Sequence, residues 1–402
     1  MGLSDLHPGA GLVLPTGPAA RAPSRGTRGR LPHELRFLPA AGPMKTLLLA
    51  CGSLGLGNST RMLGIVQVIR HRLQASRQDL RIVVCAGGNS ARFWAAHSAA
   101  AAVEVLPLDV YEFTPRQSES PRLRWSGFLR PRTAGVYLRN SLRLRSFLKA
   151  NPVDLALIDS DYHCLPLLLS RTSILALGQA WDVVRRYEEI RRQAEIPPAS
   201  MLVERLDLRF QRLVSRRILA PSFQADASGA TDITAVPLIV REEFTAPAGP
   251  EPGTGAAIHV LLSGSGIGAA PMLDYAEQYG LPVIRSLRDR DWALDAGGRP
   301  LIDRARAVIV QGGLSSISEC IARRRKMLVC PIAGHAEQLA NAFEVERRGL
   351  GMRTAELTLP PELLLERLDR VLAAAPKSAP PRCDGAEVVA RLLLEPLGLA
   401  AR

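Results

Sequence analysis

Twice along the chain, a short run of apolar residues leads into a glycine-rich turn and then into a segment with helical spacing. The first copy has its apolar run at Leu47–Cys51 and its turn at 52–57. The second copy has them at Ile258–Leu262 and 264–268. A buried strand that enters a glycine turn and then a helix is the opening unit of a parallel, doubly wound sheet. The repeat therefore predicts two successive α/β domains.

Further strand patterns alternate with helix-sized segments after each of these units. They lie at 81–86, 103–106, 154–158, 172–177, 282–284, 307–310 and 327–330. Helical spacing is found at 60–74 and 271–279, from about 315, and from 338 to 348. Parallel strands need crossovers of helix length. The predicted fold class is thus α/β, with two Rossmann-like domains whose strands' carboxyl ends face a central cleft.

Proline and glycine crowd residues 246–255, which indicates a linker or a long surface loop. The predicted domains are listed in chain order: an N-terminal acceptor-binding domain at 44–240, a linker at 241–257, a C-terminal ligand-binding domain at 258–375, and a tail with a helix at 376–402. Residues 1–43 are rich in Gly, Pro, Ala and Arg and lack the apolar core of a signal peptide. They are interpreted as a disordered extension, or as the product of an upstream start assignment with Met44 the true initiator.

Positive charge is concentrated in the first half of the chain. The net charge of the whole chain is +13, from 51 basic and 38 acidic residues, while 236–402 is neutral. Nine basic side chains and one acid fall within 116–149, interleaved with aromatic residues. This composition is typical of a surface that binds an anionic membrane or an anionic acceptor. An arginine-rich solvated surface is the alternative, and no nucleic-acid-binding motif is present.

The six cysteines form no CxxC pair, and several lie in apolar runs. This pattern favours buried free thiols in a reducing cytoplasm, and no metal site is predicted. The longest apolar runs are shorter than the roughly 20 residues of a membrane-spanning helix. The expected location is therefore cytoplasmic, with contact to the inner face of the membrane through residues 116–149.

The most informative segment begins at the strand pattern 307–310. Paired glycines, Gly312 and Gly313, lead into a serine-rich helix start at Ser315 and Ser316. Free amides at the positive end of a helix suit a phosphate. Glu319 lies about one turn further on, within reach of the hydroxyls of whatever carries the phosphate.

Two neighbouring polar residues, Glu337 and Gln338, follow at the next strand-to-helix loop and suit polyol recognition. The order of phosphate, ribose and sugar groups is that of a nucleoside diphosphate sugar. A glycine turn at Gly264 and Gly266 adds candidate backbone donors toward the diphosphate. Neither GxGxxG nor a Walker motif is present, which disfavours dinucleotide and P-loop sites.

Each of these features also has a purely structural explanation. Ser316 and Glu319 have the spacing of a capping box, in which both side chains merely satisfy the first amides of a helix. Glu337 and Gln338 fit an exposed helix surface, where polar pairs are common. The conjunction of all the features in one order favours donor binding.

The segment resembles the GT-B nucleotide-sugar glycosyltransferases, in particular the branch that includes the peptidoglycan lipid-linked N-acetylglucosaminyltransferase and related predicted bacterial enzymes. The resemblance is good over about 305–352 and weaker at 45–70. It implies a UDP-linked donor with the diphosphate at Gly312, Gly313, Ser315 and Ser316, the ribose at Glu319, the sugar at Glu337 and Gln338, and Asn341 in the same box. It also implies inverting, metal-independent transfer without a cofactor. The histidine that the family usually has before the paired glycines is Gln311 here.

On the acceptor side, many relatives carry a histidine base in the loop after the first strand. The matching loop here contains Gly55, Gly57 and Asn58, with Asn58 in the place of that histidine. Asparagine is not a base at neutral pH, so another group must remove the acceptor proton, unless the acceptor is unusually acidic or catalysis is absent.

Candidate replacements for the base follow the fourth strand pattern. Asp161 or His163 is expected to abstract the proton, with Asp159 orienting a neighbour. Asp109 is a weaker candidate. The alternative is that these are loop residues that cap the next helix.

The sequence therefore predicts a glycosyltransferase that moves a sugar from a nucleoside diphosphate donor to an anionic or lipid-linked acceptor hydroxyl. Two alternatives remain open at this stage. One is a non-hydrolysing nucleotide-sugar epimerase of the same fold. The other is a non-catalytic donor-binding partner protein, which the residues Asn58 and Gln311 would permit.

Overall fold

The structure is a computed structural model that describes residues 44–52, 56–110, 131–193, 196–225, 231–245, 258–262, 268–285, 302–354, 357–375 and 379–399. Its strands are β1 Lys45–Cys51, β2 Leu80–Gly87, β3 Glu104–Leu108, β4 Leu155–Asp159, β5 Ser173–Leu177, β6 Arg217–Pro221, β7 Ile233–Val236, β8 Ile258–Leu262, β9 Val283–Arg285, β10 Ala307–Val310, β11 Lys326–Val329 and β12 Gly351–Arg353. Its helices are α1 Gly57–Ser76, α2 Gly88–Ala101, α3 Pro131–Ala150, α4 Leu165–Leu168, α5 Ala180–Ile190, α6 Pro198–Val214, α7 Glu242–Thr245, α8 Ala270–Gln278, α9 Leu314–Ala322, α10 Ala336–Arg347, α11 Pro361–Ala374, α12 Gly385–Leu394 and a final 3₁₀ turn Glu395–Leu397.

The first sheet has the strand order β3-β2-β1-β4-β5-β6-β7, and all its pairings are parallel. The order reverses direction beside β1, so a crevice opens between the carboxyl ends of β1 and β4. There Cys51 pairs in register with Asp159. Both faces of the sheet are covered by apolar clusters, as the uninterrupted apolar runs of β1 and β4 require.

The second sheet has the order β12-β11-β10-β8-β9 and is also parallel. Its strand order reverses between β8 and β10, which places a second crevice at the end of β10, where Gln311 and Gly312 follow. The predicted α/β architecture of two doubly wound sheets is confirmed. Strand predictions at 258–262 and 307–310 agree with the observed bounds residue for residue.

Three strands, β6, β7 and β12, lie outside the predicted set. β6 begins at exposed Arg217, and β12 has only three residues, so neither gives a long apolar run. The sequence pattern was therefore too short or too mixed at these positions to indicate a strand.

Helix α12 packs on the first sheet, although it is the last helix of the chain. Val389, Ala390 and Leu393 are almost completely buried in the cluster that contains Leu47 and Leu49 of β1. At Gly385, the first residue of this helix, an added Cβ would lie 2.1 Å from the carbonyl oxygen of Pro237. The chain thus crosses back to its first domain, and only glycine fits at the crossing point.

Helices α5 and α6 of the first domain meet α10 of the second. Their contact contains a buried apolar cluster that includes Tyr187, Met201 and Phe343. Beside it, Arg186 pairs with Glu344 at 2.8 Å, and these two side chains are 4% and 1% exposed. This buried ion pair therefore links α5 of the first domain to α10 of the second.

None of the helices in the described ranges is long and apolar enough to cross a membrane.

Candidate active site

The carboxyl ends of the two sheets face each other across a cleft, and the start of α1 contacts the start of α9. Ser315 Oγ donates a hydrogen bond of 2.8 Å to the carbonyl oxygen of Gly57. The glycine turn of the second domain and the loop that enters α1 therefore lie side by side. This is the position where open α/β sheets bind their ligands.

The paired glycines give close access to the start of α9. Gly312 has φ +94, and a Cβ there would lie 3.1 Å from the carbonyl oxygen of Gln338. Gly313 is the N-cap residue, and nothing lies within 4 Å of the place where its Cβ would be. Space is therefore open beside Gly313 at the start of α9, the end of a helix that favours a phosphate-sized anion.

The capping-box interpretation of Ser316 and Glu319 is wrong. The N-cap of α9 is Gly313 and the helix begins at Leu314, so Ser316 is not the N-cap residue and Glu319 lies three residues beyond the N3 position. Ser316 is half-buried on the first turn, near Ser315.

Glu319, the predicted ribose ligand, is held by a residue of the segment that joins the two sheets. Arg241 Nε donates to Glu319 Oε1 at 2.9 Å, and Arg241 also pairs with Glu243. Burial raises the pKa of Glu319, and Arg241 opposes that shift. Arg241 therefore already engages one carboxylate oxygen of this predicted ligand.

The loop 334–338, called the sugar loop below, precedes and enters α10. Gln338 is buried, and its Oε1 accepts a hydrogen bond of 3.0 Å from the amide of Ile332, so the exposed-surface interpretation does not hold for it. Its side-chain oxygen braces the loop. Glu337 is half-buried, and burial raises its pKa while the positive charge of Arg61 opposes that rise.

The side chain of Asn341 is hydrogen-bonded to the glycine turn at Gly312 and Gly313. Its side chain is 1% exposed and donates to the carbonyl oxygen of Gly312 at 3.0 Å. Gln179 of the first domain donates to Asn341 Oδ1 at 2.5 Å. These bonds connect the loop after β5 with the predicted diphosphate site.

Asn58, in the place of the family's histidine, belongs to a hydrogen-bonded group around Arg61. Arg61 binds Asp159 through Nε at 2.6 Å and Nη2 at 2.5 Å, and Nη2 also donates to Asn58 Oδ1 at 3.0 Å. Asp159 is fully buried. It therefore orients Arg61 and takes no part in holding His163.

Asp161 and His163 form a dyad at the end of β4. His163 Nδ1 lies 2.9 Å from Asp161 Oδ1, which also accepts the backbone amide of His163 at 2.7 Å. The Tyr137 ring lies 4.5 Å from the imidazole, and His163 Nε2 is buried without a hydrogen-bond partner among the described residues. When Nδ1 carries the proton and donates it to Asp161, Nε2 presents a lone pair.

This dyad borders a small cavity between β1, β2 and β4. The cavity measures about 20 Å³ and is lined in part by Cys51, Ser160 and His163. That volume accommodates about one water molecule or one hydroxyl group. The N-cap of the following helix α4 is Cys164, without a side-chain cap, so the helix-capping interpretation of Asp161 and His163 is wrong.

Asp109 is engaged elsewhere. Arg139 and Arg143 bind its carboxylate at 3.1 and 3.3 Å. Burial opposes ionisation of Asp109, but the two arginines outweigh it and lower the pKa. A carboxylate held in its ionised form by two cations is a poor base.

The sequence interpretation missed two carboxylates that face the cleft from α6, Glu204 and Asp207. Burial raises the pKa of Glu204, and the charges of Glu337 and Asp207 add to that rise. Burial also raises the pKa of Asp207 to about 6, while Tyr162 donates to its Oδ1 at 3.0 Å. The available signal was helical spacing, because Glu204 and Asp207 share a helix face with buried Met201 and Leu208.

Predicted site residues Gly55, Gly264 and Gly266 lie outside the described residues, as do residues 116–130 of the predicted basic segment 116–149. Within the described ranges, no group of three or more His, Cys, Asp or Glu side chains is arranged to hold a metal ion.

Comparison with known proteins agrees with this architecture. Residues 299–387 match the glycosyltransferase family 28 C-terminal domain. An uncharacterised glycosyltransferase of Methanosarcina acetivorans is 34% identical over 114 residues, which are 28% of this chain and 27% of the relative. One of Methanopyrus kandleri is 32% identical over 134 residues, which are 33% of this chain and 37% of the relative. The chain thus matches only about a quarter to a third of the length of these curated relatives.

Solved structures extend the likeness to the whole fold. The crystal structure of Acinetobacter baumannii MurG superposes with a TM-score of 0.51 at 14% identity, covering 88% of this chain and 100% of that one. The Medicago truncatula UGT71G1 structure, complexed with UDP-glucose, superposes with a TM-score of 0.53 at 13% identity, covering 83% and 91%. The resemblance to GT-B glycosyltransferases and the predicted fold class are confirmed: residues 299–387 match the glycosyltransferase family 28 C-terminal domain, and the chain that carries them has the GT-B fold.

Proposed function

We propose that this protein is a glycosyltransferase that moves a sugar from a UDP-sugar to an acceptor hydroxyl, with inversion and without a metal ion. The observation that carries the proposal is the open turn at Gly313, which exposes the start of α9 within a family 28 domain, directly opposite the loop that enters α1. The complex of the Medicago relative with UDP-glucose supports the choice of nucleotide.

The donor side would act mainly by electrostatic stabilisation. In this proposal the diphosphate lies at Gly312 and Gly313, and its oxygens accept hydrogen bonds from the first amides of α9 and from the hydroxyls of Ser315 and Ser316. The positive end of the helix would stabilise the negative charge that develops on the departing UDP. Ser315 would exchange its present acceptor, the Gly57 carbonyl, for a phosphate oxygen.

The acceptor side would supply the base. The acceptor oxygen attacks the anomeric carbon, the bond from that carbon to the phosphate oxygen breaks, and UDP leaves with the electron pair. The hydroxyl proton passes to His163 Nε2, while Asp161 holds Nδ1 and stabilises the imidazolium that forms. Attack on the face opposite the departing UDP inverts the configuration.

The acceptor would approach over an exposed surface of α3, α4 and α6, called the docking face below. These helices cover the same face of the first sheet. Exposed leucines on them are Leu138, Leu142, Leu165, Leu168, Leu169, Leu202, Leu206 and Leu213. Exposed cations beside them are Arg145, Lys149, Arg205 and Arg209. Leucines interleaved with cations suit a lipid-linked acceptor in an anionic bilayer surface.

A non-catalytic donor-binding protein is the second candidate. Asn58 accepts a hydrogen bond from Arg61, and an asparagine side chain cannot act as a base. One experiment separates the two. Wild-type protein should show selective thermal stabilisation by one member of a UDP-sugar panel. It should also release UDP from that donor when acceptor alcohols, including detergent-solubilised polyprenyl glycolipids, are added.

His163→Ala should then reduce UDP release by about 10²–10⁴-fold, the usual contribution of a general base, while the thermal shift with donor stays unchanged. Asp109→Asn is the matched control, since Asp109 lines the same cavity but is held by arginines, and its turnover should equal that of the wild type. Selective stabilisation without turnover for any acceptor supports the binding protein instead. A wild type that no UDP-sugar stabilises contradicts both functions.

A further inference from the structure

The sugar loop is held by a helix of the opposite domain. Ser200 Oγ, in the first turn of α6, donates a hydrogen bond of 2.7 Å to the carbonyl oxygen of Gly334. Met201 is 1% exposed and packs in one cluster with Ala336, the first residue of α10. Two adjacent residues of α6 therefore contact the start of the loop and the start of the helix that follows it.

One helical turn further along α6, Glu204 faces the same segment. Glu204 is 8% exposed, and its carboxylate interacts with the backbone amide of Glu337. That amide belongs to the first turn of α10, whose N-cap residue, His335, makes no side-chain cap. A carboxylate from the acceptor-binding domain thus faces the first turn of α10, where the positive end of the helix favours negative charge.

These contacts add to one backbone hydrogen bond of the loop itself, in which the amide of His335 donates to the carbonyl oxygen of Ile332 at 3.0 Å. Gly334 adopts φ +80, which glycine reaches without strain but which also leaves the backbone with several accessible conformations. Within the loop, the Gln338 Oε1 bond to the amide of Ile332 closes one end. The other end is fixed by Ser200 across the cleft. The conformation that presents Glu337 to a ligand therefore depends on α6.

The charges around the loop point to the kind of sugar it accepts. Glu337 interacts with the charges of Glu204, Asp207 and Asp159, and with Arg61 as the opposing charge. Arg61 already binds Asp159 through two of its nitrogens. Carboxylates accept hydrogen bonds from sugar hydroxyls, whereas a sugar carboxylate placed here would meet like charge.

We propose that Ser200 and Glu204 are positioning residues that set donor-sugar specificity, so that the loop selects a neutral hexose over a uronic acid. This inference rests on the proposed function, since it concerns the sugar end of the same donor. The nucleotide end is bound at the glycine turn of α9 and should not depend on either residue.

The test compares the affinities of UDP, UDP-glucose and UDP-glucuronic acid by isothermal titration calorimetry. The last two ligands differ only in the oxidation state of carbon 6, so their affinity ratio reports the charge around the loop. Wild-type protein should bind UDP-glucose at least about tenfold more tightly than UDP-glucuronic acid, a difference that one unfavourable charge contact accounts for.

Because burial raises the pKa of Glu204, the titrations are made at pH 8, where more of this carboxylate is ionised. Glu204→Gln should then reduce that ratio several-fold by weakening the rejection of the uronic acid. Ser200→Ala should weaken UDP-glucose binding about fivefold, which is the effect of one lost hydrogen bond. In both variants the affinity for UDP itself should stay within twofold of the wild type. A variant that merely misfolded would lose UDP binding as well.

Glu346→Gln is the matched control. It also replaces a glutamate by glutamine, but Glu346 lies at the C-terminal end of α10, away from the sugar loop, where it pairs with Arg353. It should behave as wild type with all three ligands. Wild-type protein that binds both UDP-sugars equally, or Ser200 and Glu204 variants that keep the wild-type affinities, would overturn the inference and leave the proposed function standing. If the wild type binds none of the three ligands, the proposed function itself fails.

Discussion

The buried carboxylates of the cleft differ in whether a cation pairs with them. Asp159 has a bidentate partner in Arg61, whereas the donors to Asp207 among the described residues are neutral, the Tyr162 hydroxyl at 3.0 Å and Gln211 Nε2 at 2.9 Å. Burial, together with the charges of Glu337 and Asp159, raises the pKa of Asp207 to about 6. This carboxylate therefore opposes folding at neutral pH, as ionisable groups at functional sites often do.

Asp207→Asn should stabilise the protein at pH 8 by about 1–2 kcal/mol, because it removes a buried charge. Folding raises the pKa of Asp207, so the folded state binds this proton more tightly, and the unfolding free energy of the wild type falls between about pH 4 and 6. The gain of the variant should thus be complete above pH 6 and absent below pH 4. The buried Gln211 Oε1, which lacks a partner among the described residues, can accept from the new amide.

Urea unfolding at a series of pH values measures this difference. Asp154→Asn serves as the control with the opposite sign. Burial opposes ionisation of Asp154, but Lys45 and the amide of Thr46 outweigh it and lower the pKa, so that variant should lose stability above about pH 4. Equal stability of wild type and Asp207→Asn at pH 8 would contradict the assignment of a destabilising charge.

Among the secondary-structure elements, α12 completes the core of a domain that begins more than 300 residues earlier in the chain. Leu393 is fully buried against the α1 side of the first sheet. Leu363, on α11, is 49% exposed. The two leucines have the same chemistry and differ only in burial.

Leu393→Ala should lower the unfolding free energy of the first domain by about 2–5 kcal/mol, through lost burial and the cavity that remains. Leu363→Ala should change it by less than about 0.5 kcal/mol. Urea unfolding followed by circular dichroism compares the two. A Leu393→Ala protein as stable as the wild type would mean that α12 is dispensable for the first core.

The sequence predicted the elements that carry strong local signals. Apolar runs such as 258–262 and glycine turns such as Gly312–Gly313 show themselves within a few residues, and both were located correctly. The contact of Ser200 with Gly334 and the packing of α12 on β1 depend on residues more than 100 positions apart. Periodicity cannot indicate such partners, because it reports which face of an element is buried and not what covers it.

At the scale of the whole molecule, α6 contributes residues to two surfaces, the cleft and the docking face. Glu204 and Asp207 face the cleft, and on the other side Leu202, Arg205 and Leu206 are exposed. Helices α3 and α4 contain no acidic residue at all. The docking face formed by these three helices therefore exposes leucines together with cations.

In vesicle flotation, the protein should bind phosphatidylcholine vesicles that contain 30% phosphatidylserine and not vesicles of phosphatidylcholine alone. Each lysine or arginine near such a surface contributes about 1 kcal/mol, and this attraction weakens as salt shortens the Debye length. The leucine contribution to membrane affinity does not depend on salt, whereas the electrostatic contribution of the cations falls as salt is added. Changing Leu138, Leu142, Leu202 and Leu206 together to serine should therefore reduce binding at least about tenfold at moderate salt. Leu363→Ser, an exposed leucine of the second domain, should bind as wild type. Binding that is independent of anionic lipid, or unchanged in the fourfold variant, would place the acceptor elsewhere than on the docking face.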